Sequence, residues 1–255
     1  MTHANQPWQS QLEGNKEPWR AGTPILVLCA SLWIWFLSLG LRFLPNEAGN
    51  AYWSWLGLAA LWLVAQTALA RNHAPEKYTG YFSTILQAAI PTAATLVAVF
   101  ASQDSMIAVR AIAEQASILE LIAIHILRLA AWGTIEKYIN KQLPRYFFIF
   151  GSAPDFFFAI SAVVLTTVIW AGLYIPREII VLGWSFLGIV VFLGAACTMY
   201  WGVPKGVFAF RWKCVEAGLE PPTLLPFRWP MNLAPAFCAP MFWLAHALMI
   251  FKILG

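Results

Sequence analysis

Arg110, Glu114, His125 and Arg128 all fall inside one apolar stretch, MIAVRAIAEQASILELIAIHILRLAAW, at 106–132. If the stretch is a single helix, at about 100° per residue these four and Ser117 share an arc of about 80°, with Glu120 and Gln115 off it. An ionisable side chain at the centre of a bilayer costs about 2.5–3.5 kcal/mol on insertion scales, so such groups face a bundle or a wet cavity and pair. Arg110 and Glu114 are four apart and can pair along the helix; Arg110 is also near enough to an interface to snorkel. A stripe of this kind can carry a proton, an ion or the polar head of a ligand, with His125 as the group that titrates nearest neutrality. It can equally be a polar ladder that fixes helix register.

A carboxylate lies beyond that stretch. The run Gly151-Ser152-Ala153-Pro154-Asp155 interrupts an aromatic sequence and allows two readings. In one, Ser152 and Asp155 form a capping-box pattern, with Pro154 in the first turn, and a helix begins here. In the other, the helix begins near Tyr146, is disturbed at Pro154, and presents Asp155 inside the bundle. The first is favoured because S-x-x-D before an apolar run is a helix-start signature. Either way an Arg128–Asp155 ion pair is expected toward the cytoplasmic side, with His125 one turn deeper and Arg128–Asp155 acting as a gate.

His125 and His246 are the two histidines inside apolar stretches. A bis-histidine haem would need them on facing helices, whereas hydrogen-bonded core histidines need no cofactor. No cofactor is predicted, with haem held as a third reading. Cys29, Cys197, Cys214 and Cys238 are far apart and form no C-x-x-C, so no metal site is predicted. Asp104 and Asp155 are the only aspartates, too few for magnesium-dependent prenyl transfer. No nucleophile motif, H-E-x-x-H or aspartate pair frames a protease, and no enzymatic chemistry is predicted.

The elements that must position these residues follow from composition. Hydrophobic residues make up 60% of the chain and charged residues 11%, against roughly a quarter in a soluble domain. Too few charges remain to clothe a water-facing surface. Seven apolar stretches are long enough to cross a bilayer: 24–44, 51–70, 81–101, 106–132, 147–174, 178–202 and 235–254. With the N-terminus in the cytoplasm, the cytoplasmic side holds Lys16, Arg20, Arg71, Lys77, Lys137, Lys141, Arg145, Lys205, Arg211, Lys213 and Arg228. The other side holds Arg42, Arg177 and Lys252, a positive-inside asymmetry that predicts N-in and C-out.

Residues 1–23 read as a polar cytoplasmic tail before an uncleaved first helix, and 24–254 as a single transmembrane domain. Within it, 203–232 reads as a cytoplasmic loop. There GVFAFRWKCV mixes aromatic and basic residues as segments lying on headgroups do. Seven spans and this length resemble a rhodopsin, and the N-in topology a heliorhodopsin. A retinal Schiff base needs a lysine in the middle of the seventh span; the lysine there is Lys252, near its end, so retinal is rejected.

The C-terminal half also resembles a group of bacterial integral-membrane proteins of unknown function. The matching residues are Arg128, Leu143-Pro144, Gly151 and Asp155, Trp184 with Gly188, then Pro230, Pro235, Pro240 and His246. Ser185, Ala159 and Val191 stand where that group carries Asn, Gly and Asp. The resemblance implies a multi-pass inner-membrane protein and points to Arg128, Asp155 and His246.

The expectation is therefore an all-α bundle of seven transmembrane helices. Its polar core of Arg128, Asp155, His125, Glu114 and Arg110, with His246, handles a proton, ion or small amphiphilic ligand. The alternative is a structural or assembly subunit of a larger membrane complex. Expected partners are membrane lipids and possible further membrane subunits. The modest net charge of +4, spread over loops, gives no nucleic-acid footprint.

Overall fold

The computed structural model describes residues 18–44, 49–72, 90–91, 93–95, 97, 102–173, 176–199, 201, 211–221, 223, 225–227 and 230–255. Most of the expected third span lies outside the described residues, as do residues 203–210 of the expected cytoplasmic loop. Among the described residues every regular element is helical. They are α1 (Pro18–Phe43), α2 (Gly49–Asn72), α3 (Gln103–Gln115), α4 (Ile118–Ile139), α5 (Arg145–Trp170), α6 (Arg177–Met199), the short α7 (Trp212–Glu216) and α8 (Ala234–Leu254).

Among the described residues five helices are long and apolar enough to cross a membrane: α1, α4, α5, α6 and α8. α2, at 24 residues, has the length but is diluted by Trp, Tyr, Gln and Asn. On α1, Ile25, Leu28, Leu32, Phe36 and Leu39 point inward at helical spacing, while Val27, Ile34 and Leu41 are 57–71% exposed. Exposed apolar side chains recur at Leu58, Leu61 and Val64 on α2 and at Ile179, Phe186 and Val190 on α6. An outer surface this apolar is what a helix bundle presents to lipid. α8 is buried on nearly every face, with Met241, Phe242, Leu244, Ala245, His246, Leu248 and Met249 all inside. It is the central helix, and it packs on α3, α4 and α6.

The expected continuous span 106–132 does not form. Ala116 and Ser117 are extended, with ψ of 137° and 145°, and separate α3 from α4. Ser117 Oγ accepts from Glu120 N–H at 3.1 Å and starts a new helix. α4 then runs on to Ile139, so Arg128 sits at the middle of a helix long enough to span rather than at the expected place toward one end of it.

The expected helix start at Ser152 does not form either. Ser152 is itself helical and makes no capping bond. Pro144 precedes the true start, and α5 passes Pro154 through a π turn at Phe148–Ser152, with Ala153 N–H bonded five residues back to Phe148. α8 repeats the device: Ala239 N–H reaches back to Ala234, one residue before Pro240. A proline removes one helical donor and crowds the carbonyl four residues earlier; the wider turn relieves the crowding. In α5 that carbonyl belongs to Phe150, and α6 approaches it at Gly194, where a Cβ would lie only 2.9 Å from the oxygen. In α8 it belongs to Ala236, which accepts from Trp62 Nε1 at 3.0 Å. Each freed carbonyl is thus covered by a neighbouring helix.

Candidate functional site

The residues 124–131 of α4 are wound as a 3₁₀ helix. At three residues per turn, side chains three apart eclipse, so His125 and Arg128 stand one above the other on one face. Both are fully inside the bundle, at 0% and 1% exposure. Arg128 Nε donates to Asp155 Oδ1 at 2.7 Å, and Nη2 approaches the same oxygen at 2.5 Å. Both contacts use Oδ1, which leaves Oδ2 free of the ion pair. The Asp155 side chain is 23% exposed.

Aromatic faces complete the guanidinium's surroundings. Its carbon lies 4.2 Å from the Phe158 ring centre, 3.8 Å from that of Phe192 and 5.8 Å from that of Phe242. Cation–π contact of this kind is strongest when the cation is desolvated. Arg128 Nη1 lies 3.5 Å from His246 Nε2. A guanidinium only donates, so His246 Nε2 is the acceptor and a neutral ring carries its proton on Nδ1.

His246 and His125 stack with ring centres 4.1 Å apart and planes at 33°. His125 is further enclosed by Trp184, Phe242 and Phe158 at 5.3, 5.3 and 5.9 Å. Neither of its nitrogens has a hydrogen-bond partner among the described residues. Trp184 is held by its Nε1–H donating to Ser161 Oγ at 2.8 Å. Gly188 on α6 makes the crowding possible: a Cβ there would meet His246 Nε2 at 2.4 Å and Phe158 Cζ at 2.6 Å.

Four of the six expected residues therefore converge: Arg128, Asp155, His125 and His246. Arg110 and Glu114 do not. They sit exposed on α3, beyond the break at Ser117, and the shared stripe fails because it assumes one helix. Glu114 instead lends its backbone carbonyl to Lys252 Nζ at 2.9 Å. Glu120 faces Arg42 in a bidentate pair, Nη1 to Oε1 at 2.7 Å and Nη2 to Oε2 at 3.0 Å. The two imidazoles, with ring centres 4.1 Å apart, leave no room for a haem between them.

Beside the cluster lies an open-sided cavity of about 140 Å³ between α1, α4, α5, α6 and α8. Its walls are apolar: Ile25, Leu28, Ala131, Phe147, Ala195, Met231 and Phe242 among others. Arg128, Asp155, Ser152 and Thr134 supply the polar part of its lining. Ser152 Oγ is buried without a hydrogen-bond partner among the described residues. The open-mouthed apolar chamber with a few polar groups is the usual make-up of a small-molecule site. The aromatic cage, Gly188 and Ser152 were not among the expected site residues.

Toward the Arg145 end of α5, Tyr146 hydroxyl bonds Thr223 hydroxyl, and Arg211 pairs with Glu220, Nε to Oε2 at 3.1 Å. The Tyr146–Thr223 contact ties the 203–232 segment to α5, and the Arg211–Glu220 pair is internal to that segment. No protein-family model, no curated protein and no solved structure matches the chain.

Proposed function

We propose that this is a seven-span inner-membrane protein, N-in and C-out, that binds a small amphiphile in the cavity beside Arg128 and Asp155. The direction of the helices supports the count. The end of α1, the start of α4 and the end of α8 share one side, through Arg42–Glu120 and Lys252 with Ala113 and Glu114. α2 starts on that side, where Tyr52 hydroxyl donates to Phe36 carbonyl, and ends beside α8's beginning, where Asn232 Nδ2 reaches Gln66 carbonyl at 3.5 Å. The seven-span reading takes the segment between α2 and α3, most of it outside the described residues, as the remaining crossing. Lys137, Lys141, Arg145 and Arg211 gather on the opposite, cytoplasmic side.

The cavity carries the reading. Its volume of about 140 Å³ suits a single ring or a short stretch of chain, and its apolar walls and open side suit the end of an amphiphile drawn from the bilayer. Arg128 and Asp155 neutralise each other, and Arg128 is further occupied by aromatic faces. A charged head would lack a counter-charge. An uncharged head with hydroxyl or carbonyl oxygens finds Ser152 as donor and Asp155 Oδ2 as acceptor. His125 stands outside this lining, enclosed by rings, which favours the amphiphile over a proton path that uses it. The inward cluster likewise offers nothing to a neighbouring subunit.

The test is solvent extraction of the purified protein followed by mass spectrometry. An amphiphile enriched with the wild type and depleted from Ala195→Phe, which fills the chamber, is the expected result. Identical extracts from both proteins would refute the reading.

A further inference from the structure

Cys29 on α1 and Cys238 in the π turn of α8 are 209 residues apart in sequence, yet their sulfurs lie 3.5 Å apart. Both residues are buried, at 2% and 3% exposure, and both thiols are free. A disulfide bond is about 2.05 Å long, so closure needs about 1.5 Å of approach between two side chains already in contact. Cys238 also lines the amphiphile cavity, together with Asp155, Ser152, Phe147 and Phe242. One thiol of the pair thus borders the chamber and the other stands behind it.

We propose that Cys29 and Cys238 are a redox-active dithiol that exchanges two electrons and two protons with a quinone-class amphiphile bound in this cavity; the proposal rests on the binding reading above. In the forward direction both S–H bonds break and one S–S bond forms. The two electrons reduce the quinone, and the two protons end on its two oxygens, giving a hydroquinone. Both thiols are buried between apolar helices, and the open cavity that Cys238 borders gives a membrane-soluble oxidant such as a quinone a way to reach them. Phe147 and Phe242 line the chamber that would take its head. Ser152 hydroxyl can donate to a quinone carbonyl, and Asp155 can accept from the hydroquinone hydroxyl, so each redox form finds a polar partner. The closed disulfide would tether α1 to α8 along the cavity wall.

The experiment uses the full chain carrying Cys197→Ser and Cys214→Ser, which leaves only this pair. The reduced protein is incubated without oxygen with decylubiquinone, then denatured and labelled with a maleimide that adds mass to each free thiol. The expected result is loss of both thiols, with one hydroquinone formed per chain. Adding Cys29→Ser or Cys238→Ser should leave one thiol and no hydroquinone. Thiols that stay free under decylubiquinone would overturn the proposal, whether or not a general thiol oxidant closes them. The melting temperature of the Cys29→Ser/Cys238→Ser protein separates the two claims. If decylubiquinone raises it while the Cys29–Cys238 pair of the Cys197→Ser/Cys214→Ser protein stays reduced, the redox proposal falls and the binding reading stands. If neither response is seen, both fall.

Discussion

Arg128 and Asp155, on consecutive helices, meet through Nε and Oδ1 at 2.7 Å, with the guanidinium almost wholly enclosed by the rings of Phe158, Phe192 and Phe242. The arginine stands at the centre of α4, where an unpaired charge is most costly. Its carboxylate partner is shared with the cavity. The same residue pair therefore holds the bundle together and sets the polarity of the chamber.

Breaking a buried pair leaves the survivor uncompensated, at about 3–5 kcal/mol. Asp155→Asn and Arg128→Ala should each lower the unfolding midpoint in mild detergent. The double variant should lose clearly less than the sum, with a coupling of about 0.5–3 kcal/mol. Additive losses would sink the pairing.

Gly188 is where α6 touches the histidine stack. Gly188→Ala places a methyl within 2.4 Å of His246 and 2.6 Å of Phe158. Overpacking of this kind destabilises by about 1–3 kcal/mol. Combining it with His246→Ala should recover part of that loss by opening space. No recovery in thermal melts would show that the two residues do not share the contact.

Arg110 and Glu114 serve as the opposite case. Both are exposed on α3, and Lys252 uses the backbone of Glu114 rather than its carboxylate. Arg110→Gln and Glu114→Gln should change stability by no more than about 0.5 kcal/mol and leave the extracted amphiphile unaltered. A loss comparable to that of Arg128→Ala would restore the single-stripe arrangement.

Two similar sequence signals had opposite fates, and that contrast explains how far the sequence was legible. Ser152 with Asp155 and Ser117 with Glu120 have the same S-x-x-acid spacing before an apolar run. Only Ser117 caps a helix. At Ser152 the helix is already under way, started after Pro144 and carried past Pro154 by a π turn. That turn depends on α6 covering the Phe150 carbonyl through Gly194, a tertiary contact that local spacing does not encode. The all-helical, membrane-type architecture was readable because hydropathy is summed over whole segments. The partners of Arg128 were readable because a buried charge needs a counter-charge. The Arg110–Glu114 extension was not, since helical angles carry no meaning across a break. The aromatic cage and the cavity arise from helices far apart in sequence and leave no local pattern.

Ser117→Ala and Ser152→Ala measure that contrast directly. The first removes a cap and should cost about 1 kcal/mol. The second removes a buried hydroxyl without a partner among the described residues, so stability should hold while the extracted amphiphile falls. Equal destabilisation by both would mean that Ser152 caps its helix after all.

The most direct test of the cavity as a ligand site is photo-crosslinking with a long-chain alcohol bearing a diazirine, followed by peptide mapping. Labelling should concentrate on cavity residues such as Leu28, Ala131 and Phe242 and be lost in Ala195→Phe. Labelling confined to outward-facing residues such as Leu41, Val64 and Leu187, unchanged by that substitution, would contradict a bound amphiphile beside Arg128 and Asp155.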